Sequence, residues 1–344
     1  MNAIVDSTPT PRAAPHPTHR FKLLLKREYW EHRGGFFWAP IWAGAISLLF
    51  TLMGLILGEV ALNSSNGGIH VNGDKVVMNN LDLSVITANM DPETARHWTD
   101  TVRFTTASAM LWPLLVLGFV MFFYCLGALY DDRKDRSVLF WKSLPISDRD
   151  TVLSKVASAL VIAPVMATLI GIVCMVAYLL VLSVFVLIHH GNPITLLWSP
   201  TNLLANAGLG LAVLPVYALW ALPSAGWLLL CSAWARTKPF LWAVMIPVFA
   251  GVLTSWFNLM QSFNLGDGWF WKNVVAHLLG GVFPGSFFAA ADVRSFDGSG
   301  IPSFSTLLHV VASPLSTPQL WVGAIAGIAM IVIAIRLRRW RDEG

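Results

Sequence analysis

Apolar residues along this chain gather into six long blocks, separated by stretches where polar residues dominate. The blocks run approximately Phe36–Leu62, Thr106–Tyr130, Val156–Ile188, Leu203–Ala233, Phe240–Leu259 and Pro318–Ile335. A helix needs about 20 residues to cross a bilayer, and these blocks are of that order or longer. Lipid offers no partner for an exposed peptide group, so each block is expected to be a helix. The third is longer than a bilayer core requires, and tilt or an extension into water must absorb the excess. The expected class is an all-α polytopic membrane protein with six transmembrane helices.

Between the blocks the pattern is finer. Residues 20–33, RFKLLLKREYWEHR, place Phe21, Leu24, Leu25 and Tyr29 on one stripe and Lys22, Lys26 and Arg33 to one side. Leu23 and Trp30 stray from that stripe, and Glu28 intrudes on it. An N-terminal interfacial helix lying on the membrane fits this pattern. A positively charged flank that only fixes topology is the plainer alternative. In the loop 63–104, IHVNGDKVV reads as a hairpin with Asn72-Gly73 at a tight turn. The later DPETARHW offers Asp91 as a cap and Pro92 as first helical residue, so the second span is expected to extend as a helix beyond its apolar block. The segment 260–317 contains WKNVVAHLLGGVFPGSFFAAADV, interrupted at Gly280-Gly281 and Pro284-Gly285. Short re-entrant helices dipping into the outer interface fit it, with Trp269 and Trp271 as anchors.

Composition agrees with a membrane class. Hydrophobic residues make up 56% and charged residues 12%, with a mean hydropathy of +0.63. A soluble domain carries about twice that charge. Residues 1–19 are polar and proline-rich and are expected to form a disordered cytoplasmic tail. The first apolar block begins after Arg33 and exceeds a signal peptide's core, so it reads as a permanent span. The remainder, 20–344, is expected to be a single transmembrane domain.

The net charge of +4 is mild, and its placement matters more than its size. The N-terminal stretch, the loop 131–155, the pair Arg236 and Lys238, and the tail hold 18 of the 23 Lys and Arg. The other side holds Lys75, Arg96, Arg103, Lys272 and Arg294. By the positive-inside rule both termini are cytoplasmic. This distribution orients a membrane protein and gives no reason to expect nucleic acid as a partner.

Candidate chemistry is sparse. Glu59, near the outer end of the first span, is the one acidic residue within the six blocks. Proton-coupled carriers place ionisable groups near the bilayer midplane, so direct proton coupling is disfavoured. No Gly-Lys pair occurs, which excludes a phosphate-cradling GxxxxGK[ST] loop. His189-His190 are adjacent and read as a cap on the third span; His277 and His309 receive the same structural reading. Cys125, Cys174 and Cys231 fall inside apolar blocks without CxxC spacing and read as buried hydrophobes. Gly285-Ser286 lacks the GxSxG elbow of a serine hydrolase. Neither a metal nor a cofactor is expected in this chain. Gly54-xxx-Gly58 and Gly323-xxx-Gly327 would permit close helix approach. Pro164, Pro215, Pro223 and Pro247 would disturb the middle spans.

One loop departs from this economy of charge. Residues 130–150, YDDRKDRSVLFWKSLPISDRD, are densely charged yet enclose a Val-Leu-Phe-Trp block. Asp132 and Arg136 stand at i,i+4 spacing, as if the second helix continued outward. Pro145 disfavours helix at Leu144 and ends the apolar piece. Ser147 with Asp150 three residues on has the form of a capping box opening the next helix. A short amphipathic helix between two breaks suits docking into a partner's groove, with apolar anchors and steering charges. Membrane contact alone would account for the apolar block only.

The run DRKDRSVLFWKSLPISDRDTVLSK resembles the first cytoplasmic loop of type-2 ABC exporter permeases. Asp132, Arg133 and Asp135 match that family's charged run, Pro145 and Ser147 its stop, and Lys155 its lysine. The sequence departs at Arg136-Ser137, where the family favours Gly-Thr, and at Ser154 before the lysine. The layout of interfacial helix, six spans and broken outer segment is also similar. The resemblance implies that residues 137–146 form a coupling helix seated on a separate ABC ATPase subunit. The docking residues would be Arg133, Arg136, Leu139, Phe140, Trp141, Lys142, Leu144 and Pro145. ATP and Mg would then sit on the partner ATPase. A second permease chain, the same or related, would complete the unit in a bacterial inner membrane, among membrane lipids. The implied function is outward movement of a hydrophobic or amphipathic substrate by alternating access. A non-transporting scaffold or sensor, or an intramembrane enzyme with a polar site among the spans, are the competing classes.

Overall fold

The computed structural model describes residues 17–64, 69–71, 74–76, 83, 90–135, 147–257, 259–263, 266, 268–289 and 304–340. Among them six helices are long and apolar enough to cross a membrane: Gly34–Ala61, Pro92–Lys134, Asp148–Ile188, Ile194–Trp234, Pro239–Trp256 and Pro318–Trp340. The protein is an all-α polytopic membrane protein, as its hydropathy pattern requires. The N-terminal helix runs Pro17–Glu31, so it starts ahead of the expected boundary at Arg20. Residues 1–16, most of the tail expected to be disordered, lie outside the described residues.

Several boundaries extend past the apolar blocks, each for a local reason. The second span starts at Pro92, not Thr106, because Asp91 holds an extended cap conformation and Pro92 takes the first helical position. Proline there loses no hydrogen bond, since that N–H has no intrahelical partner anyway. The helix is interrupted at Met110, whose N–H reaches Ala107 O and Ser108 O. The third span starts at Asp148, and the fourth at Ile194 with a break at left-handed Asn202 (φ 47°, ψ 59°). The expected hairpin is present: β1 (Ile69–Val71) pairs antiparallel with β2 (Asp74–Val76), Val71 opposite Asp74.

Three prolines share one arrangement. Wide π-helical turns occupy Gly34–Trp38, Ser158–Ile162 and Ile194–Trp198. Pro40, Pro164 and Pro200 each follow two residues after such a turn ends. A proline has no N–H to give and its ring collides with the carbonyl four residues back. The wider turn moves that carbonyl aside, so the helix continues through the proline. Pro215, Pro223 and Pro247 lie inside α-helix proper.

The spans are unequally buried. Over its most apolar window the first is 11% buried and the second 50%, which makes the first peripheral. Gly54 and Gly58, expected to allow helix approach, face open space with no described atom within 4 Å of a Cβ at either. The second small-residue pair is used. A Cβ on Gly327 of the sixth span would lie 2.6 Å from the Leu222 carbonyl carbon, and one on Gly226 of the fourth 2.7 Å from Gly327 O. The two backbones meet at that point. Replacing Gly327 by Val is therefore expected to lower stability by about 1–3 kcal/mol through overpacking. Gly54→Val is the control expected to change little; heating the solubilised protein and following its elution by size exclusion compares the two.

The segment after the fifth span reaches deep into the bundle. A π-turn at Trp271–Val275 leads into helix Ala276–Gly280, then a turn through Gly285 (φ 89°) and a short 3-10 turn at Ser286–Ala289. The fourth span receives it: Ser224 Oγ donates to Leu278 O (2.8 Å) and Tyr217 OH to Val282 O (2.6 Å). The His277 ring stacks on Trp220 at 4.1 Å, its Nε2 2.9 Å from Trp220 O. Phe283 sits against Gly118 of the second span, where no Cβ would fit. Ser224 stands well inside the Leu203–Trp234 helix, so these contacts lie far below a surface loop. Trp271 Nε1 donates to Ser255 Oγ (2.9 Å), tying the segment to the fifth span. Trp269 is 41% exposed.

Candidate functional site

Of the residues expected to dock a partner, Arg136, Leu139, Phe140, Trp141, Lys142, Leu144 and Pro145 lie outside the described residues. Both roots of that loop are described, and they show how it is held. At the first root the second span does not run straight on. It ends at Gly127, turns through Ala128 and Leu129, and resumes at Tyr130–Lys134. Ser232 of the fourth span stabilises the break, its Oγ accepting from Leu129 N (3.0 Å) and Tyr130 N (2.9 Å). Arg133, the one described member of the expected docking set, donates from Nη2 to Ser232 O and to Ala235 O (2.9 Å). The last carbonyls of a helix lack intrahelical partners and carry partial negative charge, so a guanidinium is well placed there.

The second root is capped as its sequence indicates. Ser147 is extended (φ −80°, ψ 146°) and its Oγ accepts from Asp150 N at 3.0 Å. Ser147→Ala should cost about 1 kcal/mol locally. The expected sign is faster hydrogen exchange at the Asp150 and Thr151 amides with the rest of the third span unaffected.

Between the roots lies a buried charge cluster. Lys155, 1% exposed, places Nζ 3.1 Å from Glu28 Oε1 and 3.5 Å from Asp132 Oδ2. Asp132 Oδ2 also accepts from Arg338 Nη1 at 3.1 Å, and Arg338 Nε reaches Asp148 Oδ1 at 3.3 Å. Tyr124 OH donates to the second Glu28 oxygen, Oε2, at 2.9 Å. Glu28 is 1% exposed, Arg338 5% and Asp132 6%. Around Tyr124 pack the rings of His32 (4.6 Å) and Phe36 (4.9 Å). The cluster thus joins four chain segments: the N-terminal helix, the end of the second span, the start of the third and the end of the sixth.

Its geometry makes it a joint. Charges removed from water lose several kcal/mol of solvation each, and only close, hydrogen-bonded opposite charges recover it. Separating any one segment from the others would strand a buried charge. The four segments are therefore expected to move as one body. Asp132 is seen with Lys155 and Arg338 across the fold, while Arg136, its expected partner along the helix, lies outside the described residues.

Glu28 is the member that sequence reasoning misplaced. Among the described side chains of the helix Pro17–Glu31, Leu24 and Glu28 are buried, with Phe21, Leu25 and the following His32 partly covered. A carboxylate one turn beyond Leu24 is on the buried face, so it completes the stripe it was expected to disturb. Leu23 and Trp30, off the stripe, are 53% and 56% exposed. His189 caps the third span, with Nδ1 2.9 Å from Phe185 O and Nε2 3.7 Å from Glu59.

These features define a polytopic helical membrane protein whose charged loop is anchored on a buried ionic joint. Residues 102–203 match the family model described as ABC-2 family transporter protein. The match takes in most of the second span, the loop with both its roots, and the third span. The likeness covers that segment and supports an ABC-2 permease reading of it. Neither a curated protein nor a solved structure matches the chain.

Proposed function

We propose that this chain is the permease of an ABC exporter, moving a hydrophobic or amphipathic substrate outward while ATP and Mg are bound and used on separate ATPase subunits. The observation that carries this reading is the buried joint of Glu28, Asp132, Lys155 and Arg338 at the root of the charged loop. A loop that only linked two spans would need no such anchor. A loop pushed by a partner needs its displacement passed on, and the joint passes it to the N-terminal helix and to the second, third and sixth spans. Closure of the ATPase subunits would thus switch the spans between two access states.

Both termini and the joint then face the cytoplasm of a bacterial inner membrane, supported by the Lys and Arg gathered there. Residues 137–146 are the segment to which this reading gives the coupling role. Leu139, Phe140, Trp141, Leu144 and Pro145 supply its apolar contact, and Arg136 and Lys142 steer it. Arg133 adds charge beside that contact from a guanidinium held on the fourth span. A second permease chain completes the unit, and the open face of the first span leaves room for lipid or that chain.

Purification from native membranes, followed by transport in inside-out vesicles, tests the proposal. An ABC ATPase and a second permease chain should copurify, and amphipathic cargo should enter the vesicles only with ATP. Recovery of the chain without an ATPase would favour the scaffold reading. ATP-driven loss of cargo from the vesicles would reverse the direction.

A further inference from the structure

A cavity of about 440 Å³ lies within this single chain, among the second, third and fourth spans and the Phe283–Phe288 stretch. Its walls are apolar, with Leu114, Leu117, Pro164, Leu209 and Val213 among them. Few polar groups reach it. Tyr217 OH is already spent on Val282 O. Asn206 donates its amide to Thr201 O (3.0 Å), and its Oδ1 has no hydrogen-bond partner among the described residues. Thr168 is 2% exposed, and its hydroxyl likewise has none among them.

An apolar space of this size does not hold ordered water, which needs two to four polar partners per molecule. It is also within the range of sites that enclose an organic ligand, about 300–1,000 Å³. Its rim says which surroundings the ligand exchanges with. Leu111 (59% exposed), Leu115 (50%) and Phe288 (44%) border the cavity on the outside of the bundle, at the level where the surroundings of a membrane span are hydrocarbon. Phe283, seated on Gly118 and edge-on to Phe119 at 5.0 Å, lies at the wall by Leu117 and Tyr217. Asn206 lies within a turn of the start of the Leu203–Trp234 helix, near the opposite end of the fourth span from the charge cluster.

We propose that this cavity holds the alkyl chain of an amphipathic substrate and opens sideways to the bilayer past Leu111, Leu115 and Phe288, with an uncharged hydrogen-bonding head at Asn206 and Thr168. This deepens the transport reading and rests on it for the claim that the occupant is cargo. The head lies toward the end away from the ATPase side, so the occupied cavity corresponds to a stage near release. Cargo leaves it into the membrane's outer leaflet, because the rim opens between spans.

Photolabelling of the full chain in lipid nanodiscs tests this, using a monoacylglycerol with a mid-chain diazirine. Label should concentrate on peptides holding Leu111–Leu117 and Val213–Tyr217 and fall about tenfold with excess unlabelled monoacylglycerol. It should fall similarly in Leu214→Trp, which fills the cavity, and in Ala107→Phe at its edge. Thermal midpoints near wild type identify which filling variant is folded, and that one is read. Label spread equally over the open face of the first span would overturn the site. The cargo claim has its own readout: in the copurified complex, monoacylglycerol should stimulate ATP hydrolysis, and the folded filling variant should lose the stimulation. Label that survives competition and nucleotide, with ATP hydrolysis indifferent to monoacylglycerol, would make the occupant a resident membrane lipid and overturn the proposal. Labelling needs no ATPase, so failure of the site and failure of the transport reading give different results.

Discussion

Replacing Lys155 by Met is expected to destabilise the protein by about 3–5 kcal/mol, the usual cost of breaking one side of a buried ion pair. Lys155 Nζ is the only cation within 4 Å of Glu28 among the described Lys and Arg residues, and it shares Asp132 with Arg338. Met matches the length and bulk of the stem, so packing changes little and the loss is electrostatic. Glu28→Gln should cost less, because Lys155 keeps Asp132 and the amide can still accept from Tyr124. The Glu28→Gln, Lys155→Met pair should be less damaging than the sum of the two, as expected of residues in one network. Loss of the monodisperse fraction on heating in detergent measures all three. Additive effects, or a Lys155→Met variant as robust as wild type, would show that the cluster does not act as a joint. A folded remnant of Lys155→Met should also hydrolyse ATP with its partner while moving little cargo.

The second large effect is expected at the loop's apolar block. Phe140→Ala with Trp141→Ala should weaken the ATPase contact by roughly a thousandfold if both act as central anchors, at about 2 kcal/mol or more each. The ATPase should then be lost on purification and transport should stop, while the thermal midpoint of the permease stays near wild type. That separation matters, because the anchors belong to the contact and the buried cluster belongs to the fold. Lys142→Ala should act differently, slowing association and making it less salt-dependent without abolishing the complex. Unchanged copurification and transport in the Phe140, Trp141 variant would reject the docking assignment.

Much of the architecture was legible without coordinates. Six spans follow from block length and hydropathy alone, because lipid permits an isolated chain segment no alternative to helix. Local chemistry was equally readable where it depends on neighbours in the chain. Asp91-Pro92 starts a helix, Ser147 caps one through Asp150 N, and the strands flanking Asn72-Gly73 pair. The resemblance to type-2 ABC exporter permeases was visible in residues 130–155, which fall within the matched segment.

Where contacts join distant parts of the chain, the sequence offered types without partners. Glu28 looked like a flaw in an amphipathic stripe, and only the meeting with Lys155 and Tyr124 makes it a buried counter-ion. Two small-residue pairs looked alike, yet Gly327 meets the fourth span while Gly54 and Gly58 meet nothing described. Arg133 read as a steering charge with no partner named, and its guanidinium donates to the end of the fourth span. Segment length and local capping are set by energies within a few residues, so the sequence by itself determined that this is a six-span membrane protein with a capped, charged loop. Which charges neutralise one another, and which glycines touch, depends on how helices far apart in the chain cross, and only the tertiary structure decided that.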